Sequence, residues 1–224
     1  MRFLPLSLLV FALSFGSSSP AQTPETAQTH WIGTWGASPS PQLPDLAQMK
    51  KARLIFENQT LREIVHVSIG GSRIRVRLSN AYGKESVEIG AAHVALRGEG
   101  SGVLAGSDRA LTFSGRSSVT IPPDALILSD PVSLDIAPSS DLAISLFLPK
   151  PTPGGGIHYA AQQTNYVAAG NLTAAAALPD PSKLTSWVFL TGVDVAAPLS
   201  ASTVIAFGDS ITDGAASTND TNHR

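Results

Sequence analysis

The chain has 224 residues, 43% of them apolar, which is enough to bury a sizeable core in one large or two small domains. Charged residues make up 14% and the formal net charge is −2, so no broad electrostatic attraction to nucleic acid or to an anionic membrane is expected. The sequence has no cysteine, which excludes disulfides, thiolate catalysis and cysteine-ligated zinc; its five histidines form no pair spaced to present metal ligands on one helix face, so neither a metal nor a cofactor is expected.

Residues 1–21 read as a secretory signal. Arg2 is followed by the mostly apolar stretch Phe3 to Phe15, and Ser19-Pro20-Ala21 supplies the small residues a signal peptidase reads. The apolar stretch is shorter than the roughly 20 residues that span a bilayer. The expectation is a secreted or periplasmic protein, cut near Ala21, without a transmembrane segment afterwards, and with a flexible start over residues 22–30.

From Trp31 to Val195 the apolar residues recur with a period of two, the period of strands. In the stretch Leu61 to Asn80, Ile74, Val76 and Leu78 alternate with Arg73, Arg75 and Arg77, and Val65, Val67 and Ile69 alternate before them. Gly70-Gly71 between the two runs suits a two-residue hairpin turn. That turn would pair Val67 with Ile74 and Val65 with Val76, apolar against apolar. Further strands are expected at Val87 to Leu96, Arg109 to Ser114, Ser118 to Ile121, Ala125 to Leu128, Leu142 to Leu148, Thr164 to Ala168 and Trp187 to Val195, with Gly, Pro, Asp and Ser between them. The alanine-rich run Asn171 to Ser182 ends in two prolines and reads as a loop. Residues 31–195 are therefore expected to form an antiparallel β-sandwich, jelly-roll-like in topology.

Within that domain the arginines of the alternating strand could meet an anionic ligand, but a charged outward face also protects a strand from edge pairing. Trp31, Trp35 and Trp187 could stack on sugar rings, but core or domain-interface anchoring is the simpler reading. His158 and Tyr159, after Gly154-Gly155-Gly156, could reach a catalytic face and are not assigned a catalytic role.

A linker is expected over 196–201, and the pattern then changes. Val204-Ile205-Ala206-Phe207 is apolar throughout, as in a strand covered on both faces of a parallel α/β sheet. The run Gly208-Asp209-Ser210-Ile211-Thr212-Asp213-Gly214 would be the loop at its carboxyl end, where such sheets place their sites. Ser210 there can expose its hydroxyl and offer its own amide to an oxyanion. On residue types alone, Asp209 or Ser210 could equally be a helix cap.

The seven residues from Gly208 to Gly214 closely resemble the first sequence block of the SGNH, or GDSL, hydrolases. Upstream, WIGTWGASP, NQTLREIVHVSIGGSRIRVRLSNAYG and QQTNYV resemble the N-terminal β-domain of secreted bacterial members. The resemblance implies that Ser210 is the nucleophile and one oxyanion-hole donor, supported by Gly208, Asp209 and Gly214, and that residues 202–224 begin an SGNH domain. It also implies a glycine, an asparagine and an Asp-x-x-His from later blocks. The expectation is thus a chain truncated after the first block, and inactive alone. Asp220-Thr221-Asn222-His223 matches Asp-x-x-His literally, but aligns with the variable loop after the serine block and reads as a solvated polar segment. The expected function is hydrolysis of a carboxylic ester, whether small, lipid or an acetylated carbohydrate, through an acyl-enzyme on Ser210. The alternative is a carbohydrate-binding or interaction module with a vestigial serine block.

Overall fold

A computed structural model describes residues 28–42 and 54–222. The signal segment and His223 lie outside the described residues. Seventeen strands follow one another in them: β1 Thr29–Gly36, β2 Ile55–Phe56, β3 Gln59–Val67, β4 Gly71–Ser79, β5 Val87–Ile89, β6 Ala91–Leu96, β7 Arg109–Ala110, β8 Val119–Ile121, β9 Leu126–Leu128, β10 Val132–Ile136, β11 Ser140–Leu148, β12 Thr152–Pro153, β13 Ile157–His158, β14 Asn165–Ala169, β15 Ser182–Leu184, β16 Trp187–Val188 and β17 Leu190–Pro198. No helix forms among the described residues, and none is therefore long and apolar enough to cross a membrane.

One sheet runs β1-β17-β4-β10, with β9 paired to the far end of β4; the other runs β15-β14-β3-β11-β6-β7. The pairings are antiparallel. Leu61, Val65 and Val67 of β3 with Leu142, Ile144 and Leu146 of β11 share one core with Ile74, Val76 and Leu78 of β4 and Val193 and Val195 of β17. The fold is mainly β and sandwich-like, as its period-two patterning indicates.

The expected β3–β4 hairpin does not form. The apolar alternation on β4 is as read, with Ile74, Val76 and Leu78 fully buried. Its partners, however, are β17, β10 and β9, while β3 pairs with β11 and β14 in the opposite sheet. The chain crosses from sheet to sheet at Ser68–Gly70, so Val67 and Ile74 lie in opposite sheets of one core rather than paired along a ladder. The glycines serve clearance, not turn geometry, since neither has the positive φ of a two-residue hairpin turn. A Cβ on Gly70 would run into the Ile136 carbonyl oxygen and the Ala137–Pro138 peptide, and one on Gly71 would stand 2.5 Å from a Val195 methyl.

The outward arginines are also less free than alternation suggests. Asp194 on β17, only 3% exposed at its side chain, accepts from Arg75 Nε at 2.9 Å and Arg77 Nη2 at 2.6 Å. The Arg75 guanidinium lies 4.7 Å from the Trp31 ring centroid, over the strand between them.

Neighbouring residues of β3 carry the two most deeply buried charges-to-be. Arg62 points under the 171–178 loop. There its guanidinium donates to the carbonyls of Ser101, Leu172, Thr173 and Ala175 and to Ser145 Oγ, at 2.6 to 3.3 Å. Glu63 points the other way. Its Oε1 accepts the Val188 amide at 2.5 Å, and Oε2 has no partner among the described residues. Desolvation raises the Glu63 carboxyl well above its ordinary range, against the smaller opposing pull of the Val188 amide.

Both ends of the sandwich strand pair run past their expected limits. Thr29 pairs with Pro198, His30 with Ala197 and Trp31 with Ala196, so residues expected in a flexible start and a linker complete a ladder. The expected strand Trp187–Val195 is split at the buried Phe189. At φ 65 that residue turns its amide to the Gly156 carbonyl and its own carbonyl to Ser79. The strand expected at Val204–Phe207 is not formed: Val204 is 94% exposed and Phe207 99%, and a lone strand has no ladder to satisfy it.

Two outcomes follow from the burial. Val76→Asp, which places an unpaired carboxylate between the sheets, is expected to cost about 3 kcal/mol or more, whereas Phe207→Ser leaves the urea midpoint unchanged; equal shifts would contradict the assigned core. For Glu63, a folded-state affinity for its proton above the unfolded one means stability fully present below the ordinary glutamate range and lost as pH rises through the raised folded value. Glu63→Gln keeps an acceptor for Val188 and is expected to flatten that alkaline loss, read as melting temperature against pH.

Candidate functional site

Beyond β17 the chain folds back over the sandwich. The Ala201 amide closes a turn on the Pro198 carbonyl at 2.9 Å, the Ala201 carbonyl lies 3.0 Å from His30 Nε2, and Thr203 Oγ1 donates to the Gly33 carbonyl at 2.9 Å. The exposed run Val204 to Phe207 follows, and then the serine segment winds into consecutive turns. Asp209 Oδ1 accepts the Ile211 amide at 2.9 Å, and the amides of Asp213, Gly214 and Ala215 close on the carbonyls of Asp209, Ile211 and Ser210 at 2.8 to 3.1 Å.

Each expected loop residue has a local reason. Asp209 caps the turn with its carboxylate. Gly208 lies against Thr212, whose Cβ would stand 2.8 Å from a Cβ added there. Gly214 has φ 74, a conformation glycine takes at no steric cost. Ser210 stands exposed at the first corner.

The segment is fastened to the sandwich by two carboxylates. Asp213 lies 3.1 Å from His158 Nε2 through either oxygen. The imidazole is placed by its own surroundings: Nδ1 is 2.9 Å from the Ser38 carbonyl, β13 pairs His158 with Trp187 of β16, and the two rings lie 5.6 Å apart. Trp187 is held in turn by donating Nε1–H to the Ile64 carbonyl at 2.9 Å and by an edge-to-face contact with Trp35 at 4.9 Å. Asp220 accepts the Thr164 amide and Gln163 Nε2 at 2.6 Å and Thr164 Oγ1 at 2.7 Å, while its own amide donates to Gln162. Asn222 Nδ2 adds a contact of 3.4 Å to Asp141.

Residues 220–222 are exposed, in keeping with a solvated loop, but the loop is attached to the sandwich at Asp220. Its carboxylate accepts from three donors of the sandwich, two at Oδ1 and one at Oδ2, and so serves the attachment. His223, its partner in the literal Asp-x-x-His, lies outside the described residues. His158, which the sequence leaves without a role, is the residue that reaches the serine block. Asp213, Gln163, Thr164 and Ser38 lie in the segments that carry the resemblance, but nothing in their spacing marks this contact. Trp35 and Trp187 are packed as anchors beside it.

Among the described residues, no three of His, Asp and Glu gather into a set that could hold a metal. A separate cleft of about 390 Å³ opens between the 80–87 and 151–155 loops. Asn80, Tyr82, Lys84, Glu85 and Gly155 stand in its wall, with Tyr82 half exposed and Asn80 fully buried. Asn80 Nδ2 donates to the carbonyls of Glu85, Ile121 and Pro122, and its Oδ1 has no hydrogen-bond partner among the described residues. No protein-family model matches the chain, and no curated protein matches it.

The turn chemistry gives a direct check. Asp209→Ala removes the cap on Ile211, and Gly208→Ala drives a methyl group into Thr212. Each is expected to raise amide exchange at Ile211 and Asp213 about fivefold, the equivalent of roughly 1 kcal/mol of capping. Unchanged exchange in both variants would contradict the described turn.

Proposed function

We propose that the chain carries the nucleophile of an exported serine hydrolase acting on carboxylic esters. The observation that carries this reading is the block Gly208 to Gly214, which resembles the serine block of SGNH hydrolases and presents Ser210 at an exposed corner of a capped, glycine-shaped turn. In the proposed reaction Ser210 Oγ attacks the ester carbonyl carbon while a base takes its proton. The tetrahedral intermediate then expels the alcohol, which receives that proton. Water next attacks the acyl-enzyme, releasing the acid and restoring the serine. The Ser210 amide is one donor for the developing oxyanion. The imidazole of His158 is engaged by Ser38 and Asp213, and the Asp220 carboxylate by Gln163 and Thr164, so neither is assigned as base.

Short-chain p-nitrophenyl esters test the reading on the exported protein that bears this chain. Ser210→Ala is expected to lower kcat/KM at least about a thousandfold, with the sandwich melting unchanged. Turnover retained in that variant would overturn the assignment.

The cleft beside Tyr82 supports a second reading, a sandwich that binds a neutral saccharide through an aromatic face and amide groups. On this reading cellohexaose binds by calorimetry, Tyr82→Ala weakens it about tenfold, and Ser210→Ala leaves it untouched. Absence of binding would remove the saccharide reading and leave the hydrolase reading standing.

A further inference from the structure

We propose that the sandwich acts as a clasp for the serine segment, with His158 as a positioning residue that fixes the Ser210 turn through Asp213. The attachment itself stands on geometry; its consequence for catalysis rests on the hydrolase reading.

Three features make the contact more than a surface pair. First, it is sheltered: the His158 side chain is 11% exposed and that of Asp213 32%, whereas ion pairs washed by solvent on both sides contribute little. Second, His158 is also oriented by residues outside the segment. Its Nδ1 faces the Ser38 carbonyl, its ring lies against Trp187, and Trp187 is tied to Ile64 inside the core. The imidazole therefore loses little freedom when Nε2 meets the carboxylate. Third, the clasp has two points. Asp213 seats on His158 and Asp220 on Gln163 and Thr164, seven residues apart on the segment and within one stretch of the sandwich between β13 and β14. Once one carboxylate is seated, the other binds at high effective concentration, and bonds to an ionised acceptor are the stronger kind.

Asp213 also lies inside the serine turn. Its amide closes on Asp209, so pulling on its side chain orients the loop that contains Ser210. The path runs from core to nucleophile as Ile64, Trp187, His158, Asp213 and Ser210. Each step is a hydrogen bond, a ring contact or a turn.

The test is amide exchange by NMR on the full chain, with three variants of one position. His158→Ala is expected to raise exchange at Ile211, Asp213, Gly214 and Ala215 about tenfold, while the amides of β3 and β11 keep their protection. His158→Gln places an amide nitrogen near where Nε2 stands and is expected to restore protection. His158→Asn reaches only the Nδ1 position, toward Ser38, and is expected to behave like alanine. Core amides that exchange faster in all three variants would show that His158 holds the sandwich rather than the segment, and would overturn the proposal. Equal protection with Asn and Gln, or unchanged turn exchange in His158→Ala, would do the same. Where ester turnover is present, His158→Ala is expected to lower kcat with KM little changed. If Ser210 proves not to be the nucleophile, the exchange result still decides the clasp.

Discussion

The passage of the main chain at Gly70 and Gly71 is the constraint on which the rest depends. At these two positions β4 begins within touching distance of the β10–β11 connection on one side and of Val195 and Ala196 on the other. Only residues without a Cβ pass there. The crossing sends β3 and β4 into different sheets, so that two alternating strands close in sequence become opposite walls of one core. It also leaves β4 free to pair with β17, and β17 with β1, which sets Thr29 beside Pro198.

The crossing makes β3 an inner strand of its sheet, between β14 and β11, with both faces covered. Arg62 and Glu63 then have no water, and they are resolved in opposite ways. Arg62 cannot shed its charge in practice and gathers backbone carbonyls instead, which pins the 171–175 loop to the sheet. Glu63 can take up a proton, and desolvation favours its neutral form while Oε1 holds the Val188 amide. Val188 neighbours Trp187, and the pairing of β16 with β13 sets the His158 ring. Glu63 thus helps to hold β16, the strand whose partner β13 carries His158 to the serine segment. Buried polar groups of this kind specify an arrangement more than they stabilise it, since each forfeits hydration that an apolar residue would not.

Much of the sandwich was legible because burial on one face leaves a period-two record. The runs at 74–78 and 142–148 lie on strands and those at 118–121, 125–128 and 164–168 do so but for their first residue, whereas 87–96 is divided at Gly90 between β5 and β6 and the strand expected at Arg109–Ser114 is formed only at Arg109–Ala110. Partnership left no such record. A glycine pair between alternating runs signals that the chain must bend closely, but a hairpin and a crossing need the same residues, and only the distant backbone of Ile136–Pro138 distinguishes them. Short strands such as β2, β12, β13 and β15 hold two or three residues each, too few for a period. At the site the turn residues were legible because each acts locally: Asp209 caps, Gly208 clears Thr212 and Gly214 takes a positive φ. The attachment was not, because it depends on residues 55 and 56 positions apart in sequence, His158 with Asp213 and Thr164 with Asp220, and spacing along the chain does not show which of them meet.

The run Val204 to Phe207 shows how attachment differs from packing. Four consecutive apolar residues put side chains on both sides of an extended backbone, so one sheet edge or one face cannot cover them. The edge strand β1 reaches the segment through His30 with Ala201 and Gly33 with Thr203, before the run begins, and Asp213 fastens it after the run ends. Val204, Ile205, Phe207 and Ile211 are held at a defined place on the molecule while each stays more than 80% exposed. Hydrogen bonds at the two ends settle where the serine turn stands, and the apolar residues between them contribute nothing to keeping it there. The position of Ser210 is therefore a property of polar anchors on a rigid sandwich, not of a local hydrophobic core.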